Sequence, residues 1–94
     1  MNKYDEFPET IGAAVTVLRA MLTDLDIESI ESLAQDQLIS LHFGLGGWIR
    51  NNFGLWETGS RLLRSTGATN PDDASMKIIE ALWQTLQDCQ PRLH

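Results

Sequence analysis

The chain is poor in the residues from which reactive sites are usually built. It has one cysteine and two histidines in 94 residues. A single cysteine excludes an internal disulfide and a thiolate metal cluster, and it fits a reducing compartment. His42 and His94 lie too far apart for a paired-histidine motif, and no pair of acids has metal-site spacing, so neither metal nor cofactor is expected. Cations are also scarce: seven Lys and Arg stand against thirteen Asp and Glu, for a formal charge of −6. No apolar run is long enough to span a bilayer, and the opening MNKYDEFPET does not read as a secretory signal. The expected location is therefore the cytoplasm. No stretch alternates apolar and polar residues as a half-buried strand would, and no internal repeat is visible.

What is present is an ordinary globular balance, 43% hydrophobic and 21% charged, which separates the chain from disordered ones. Its length suits one domain with one modest core. The acidity is uneven. Residues 1–43 hold eight acids (Asp5, Glu6, Glu9, Asp24, Asp26, Glu28, Glu31, Asp36) against Lys3 and Arg19, while the remainder holds five charges of each sign. Such a half repels a nucleic-acid duplex or an anionic bilayer, so general binding to either is not expected unless Arg50, Arg61 and Arg64 form a local patch. It suits a protein partner with a basic surface, with Asp24, Asp26, Glu28, Glu31 and Asp36 as contact candidates. The plainer alternative is a solvated face that keeps the protein soluble.

Helical spacing runs through the chain. Ile11, Ala14, Val15, Leu18, Met21, Leu22 and Leu25 follow one another at steps suited to one helical face, with Pro8 and Glu9 placed for a first turn. Ile27, Ile30, Ala34, Leu38, Leu41, Leu45, Trp48 and Asn52 form a second stripe. Asp26 is its expected cap, Glu28 to Ala34 can stand as a separate short helix, and NNFG marks its end. A shorter helix is expected around Ser60 to Arg64, closed by STGATN. Asn70, Pro71, Asp72 and Asp73 then open the clearest helix, whose inner face is Ser75, Ile78, Ile79, Leu82 and Leu86. The reading is an all-α, compact single-domain bundle of four or five helices over residues 1–94, with 1–7 loosely ordered and 90–94 a tail.

The segment LHFGLGGWIRNNFGLW, residues 41–56, concentrates the unusual residues. Glycine inside a helix costs about 1 kcal/mol against alanine, so three of them in four positions imply close approach by a neighbour, such as another backbone or the ring of Trp56 or Trp83. The rival reading, a backbone cradle for an anion with Arg50 as charge partner, lacks both the Gly-Lys-Ser/Thr ending and the preceding strand of the known cradles. In a continuous helix His42 shares a face with Gly46, Ile49 and Arg50, which sets a titratable ring near a fixed cation. Arg50, Asn51 and Asn52 suit a helix C-terminus, where cations and amides satisfy open carbonyls, and Arg50 can pair with Asp72 or Asp73. Asp72 and Asp73 are explained first by helix initiation. Cys89 has no basic neighbour in sequence to activate it.

These residues carry a resemblance. Leu41, His42, Gly44, Leu45, Gly46, Ile49, Arg50, Asn51, Gly54, Leu55 and Trp56, then Pro71, Asp72, Asp73, Ser75 and Ile78, match a pattern of small uncharacterised bacterial domains. The pattern reads Leu-His-x-Gly-Leu-Gly-x-x-Ile-Arg-Asn-x-x-Gly-Leu-Trp, then Pro-Asp-Asp-x-Ser-x-x-Ile. The similarity covers residues 41–83, and Gly47 and Phe53 depart from the residues usual there. It implies no particular activity. By analogy alone, short bacterial helical domains of this kind serve as accessory, phage-related or toxin-neutralising proteins.

Two functional expectations follow. The first is a non-enzymatic interaction protein, immunity- or antitoxin-like, that meets a basic protein surface with its acidic half. The second is a binder of a small anionic or nucleotide-like ligand, using His42, Arg50, Asn51 and Trp56, with Asp72 and Asp73 orienting the arginine. Catalysis is not expected, since no nucleophile, base and electrophile can be assembled. A homodimer is compatible with either, because three tryptophans are hard to cover in so small a core.

Overall fold

Pro71–Cys89 forms the longest helix, and every other helix packs against it. In the computed structural model, which describes residues 7–89, the order is α1 (Ile11–Met21), α2 (Asp24–Glu31), a 3₁₀ helix (Gln35–Leu41), α3 (Leu45–Asn52), α4 (Arg61–Thr66) and α5 (Pro71–Cys89). No strand occurs among the described residues. The all-α reading is met, but the helices among the described residues number six rather than four or five. The expected loose start and tail fall, apart from Phe7, outside the described residues.

α5 begins as its sequence dictates. The Asp73 N–H donates to Asn70 Oδ1 at 2.8 Å, and Asn70 Nδ2 donates to Asp73 Oδ2 at 3.2 Å. Pro71 occupies the first position, where its missing N–H has no cost. Ala74, Ser75, Ile78, Ile79 and Leu82 are fully buried along the next two turns, followed by Leu86. Against this arc lie Ala14, Val15 and Leu18 of α1, Ile30 of α2, Leu38 of the 3₁₀ helix, Ile49 of α3 and Leu62 of α4.

The first two helices start elsewhere than expected. Thr10 caps α1, its Oγ1 accepting from the Ala13 N–H at 3.1 Å, so Pro8 lies ahead of the helix rather than in its first turn. Thr23 caps α2. Its hydroxyl accepts from the Asp26 N–H at 3.1 Å, and Asp26 Oδ2 accepts from the Thr23 N–H at 3.4 Å, so Asp26 is the third residue of a capping box and not the cap. The turn at Leu22 and Thr23 also breaks the phase of the first apolar stripe. As a result Leu25, expected on the same apolar face as α1, is 74% exposed, while Met21, which ends α1 ahead of the turn, is 48% exposed. The far end of α2 is closed by α5: Trp83 Nε1 donates to the Leu33 carbonyl at 2.8 Å, and Gln87 Nε2 to the Glu31 carbonyl at 2.7 Å.

The second stripe is likewise divided. Residues 35–41 are a 3₁₀ helix, 42–44 a turn, and α3 starts anew with Gly44 at its N-cap. Three glycines within four residues remove the propensity that would have carried one helix through. α3 ends as its NNFG predicts: Asn52 Nδ2 donates to the Trp48 carbonyl at 2.9 Å, and Gly54 takes a left-handed φ of 69°. A Cβ at Gly54 would also stand 2.5 Å from the Phe7 ring, so the position excludes a side chain on two grounds. α4 is capped by Ser60, whose Oγ accepts from the Leu63 N–H, and it stops at Gly67 with φ 75°.

Ile78→Ala is expected to lower unfolding free energy by about 2–5 kcal/mol, the range for a buried aliphatic truncation. Lys77→Ala, on the exposed side of the same turn, should stay within about 0.5 kcal/mol of wild type in urea titrations. Equal effects would contradict α5 as the central support.

Candidate functional site

Arg50 stands in the last turn of α3, and its side chain folds back along the helix over Gly46. Nη1 donates to Ser75 Oγ at 3.1 Å and to the His42 carbonyl at 3.3 Å, while Nε lies 3.4 Å from Asp72 Oδ1. Ser75 Oγ in turn donates to the Asp72 carbonyl at 2.8 Å. One guanidinium thus joins the 42–44 turn, α3 and the first turn of α5. The Arg50 side chain is 12% exposed and that of Asp72 60%, so a nearly buried cation is held by dipoles inside and by a partly hydrated carboxylate outside.

This geometry explains the glycines individually. A Cβ on Gly46 would lie 3.1 Å from Arg50 Nη1, 3.4 Å from the Leu41 carbonyl oxygen and 3.5 Å from Ser75 Oγ. Gly46 is therefore the close-approach glycine, and its neighbours are Arg50 and Ser75 rather than the ring of Trp56 or Trp83. Gly47 would meet only Arg50 Nη2, at an ordinary 3.6 Å, and Gly44 meets nothing within 4 Å.

Of the six proposed ligand-binding residues, His42, Arg50 and Asp72 come together, His42 through its carbonyl and not its ring. The His42 ring packs edge-on against Phe43, with centroids 5.1 Å apart, and its Nδ1 is buried without a hydrogen-bond partner among the described residues. Asp73 is committed to the Asn70 cap. Asn51 and Trp56 are exposed, and no hydrogen bond ties either to Arg50. Ser75 is the member that sequence reading left out of the site. Its signal was present, since it follows Asp72 by three residues and shares its helical face.

The proposed partner-binding acids occupy a different side. Asp24, Glu28 and Asp36 are exposed and Glu31 is half-buried, and none of the four pairs with a cation among the described residues. Asp26 is exposed and also closes the α2 capping box. Leu25 projects from this acidic helix opposite its buried Ile30. Next to it lies an apolar groove of about 360 Å³ between α1, α2 and α3, floored by Leu18, Leu22, Ile30, Leu41, Leu45 and Trp48 and edged by Met21, Asp26, Ser29 and Gly44. Nothing in the sequence periodicity marked this groove, because its floor is shared by four short helices whose meeting depends on the turns between them, Leu41 coming from the 3₁₀ helix. No group of three or more His, Cys, Asp or Glu residues is gathered as a metal site among the described residues. Nor is any helix there long and apolar enough to cross a membrane.

A family model matches residues 7–86, nearly the whole of this architecture. The chain belongs to DUF6794, a domain of unknown function. Neither a curated protein nor a solved structure matches it. The DUF6794 match takes in both the Arg50 cluster and the acidic helix, so the two features lie within one family domain.

In this DUF6794 chain Arg50→Ala is expected to cost about 2–3 kcal/mol in chemical denaturation, since it leaves Ser75 Oγ and the His42 carbonyl without their donor. Asp72→Asn, at an exposed carboxylate, should cost less than about 1 kcal/mol. Gly47→Ala is expected to raise stability by about 0.5–1 kcal/mol, whereas Gly46→Ala should lower it by displacing Arg50. The same sign for both glycine variants would refute the assignment of Gly46 as the close-approach position.

Proposed function

We propose that the protein is a small, non-enzymatic interaction protein that binds a basic protein surface through the acidic side of α2 and the 3₁₀ helix. The observation that carries this reading is Leu25, 74% exposed on a helix that also presents Asp24 and Glu28, neither of them paired with a cation among the described residues. Unpaired acids raise the encounter rate with a cationic surface, and an apolar side chain set among them supplies the desolvated contact that holds the complex. Together with the resemblance to small bacterial domains, this charge pattern supports an immunity- or antitoxin-like inhibitor in the cytoplasm, one that covers a basic site with carboxylates. The anionic-ligand alternative at His42 and Arg50 has less support, because the guanidinium is already engaged by Asp72, Ser75 and the His42 carbonyl.

The test begins with capture of the partner from a lysate of the source cells and proceeds to association kinetics with the purified pair. The triple variant Asp24→Asn, Glu28→Gln, Glu31→Gln is expected to associate at least about tenfold more slowly at low salt, and the wild-type rate should fall as salt rises. A rate indifferent to both salt and neutralisation would overturn the reading.

A further inference from the structure

We draw no further inference here: the strongest candidate, the apolar groove between α1, α2 and α3, offers a single carboxylate, Asp26, at its edge, and nothing in the structure shows what covers it.

Discussion

The burial of one continuous apolar arc on α5 is what holds the other helices in place. α1 to α4 are short, and α2, α3 and α4 span no more than eight residues each. Helices of that length are marginal in water on their own, because nucleation costs more than a few backbone hydrogen bonds return. Each is held by what it sets against Ile78, Ile79 and Leu82 and their neighbours. The polar contacts of α5 follow the same logic. Trp83 and Gln87 close the carbonyl end of α2, and Ser75 receives Arg50 from α3, so the apolar arc is edged by groups that finish the backbones it supports.

Arg50 is the second constraint, and it shows how an unusual motif can be architectural. The motif's histidine contributes a carbonyl, its Gly46 contributes the absence of a side chain, and its serine contributes a hydroxyl that passes a hydrogen bond on to Asp72. Residues of chemically versatile types are thus used for shape and for satisfying one nearly buried cation. The more exposed chemistry lies on the opposite kind of surface, where Asp24 and Glu28 meet no cation among the described residues and Leu25 projects into solvent.

The parts of this fold that were legible in the sequence are those settled by a few adjacent residues. Asn70, Pro71 and Asp73 define the start of α5 within a single turn, Ser60 does so for α4, and Gly54 ends α3 with a conformation few other residues adopt. The parts that were not legible depend on competition between neighbouring options. Thr10 and Thr23 outcompete Pro8 and Asp26 as helix starts, and nothing local to either pair decides the outcome. Leu38, Leu41, Leu45 and Trp48 keep helical spacing across a turn, so periodicity alone reads one helix where there are two elements. Charge left Arg50 a choice of Asp72 or Asp73, of which the fold takes Asp72, but its serine partner lies 25 residues away and its glycine niche exists only after α3 and α5 have met.

The position of α5 in the chain bears on how the protein comes into being. A polypeptide is made from its N-terminus, and the helix on which the others rest is the last of those described to emerge. Until Pro71–Cys89 has been synthesised, the apolar faces of the earlier helices have nothing to settle against, and they remain exposed to chaperones and proteases. Folding of the domain is thereby deferred until α5 has been made. A frameshift or cleavage within α5 removes the common support of the other helices.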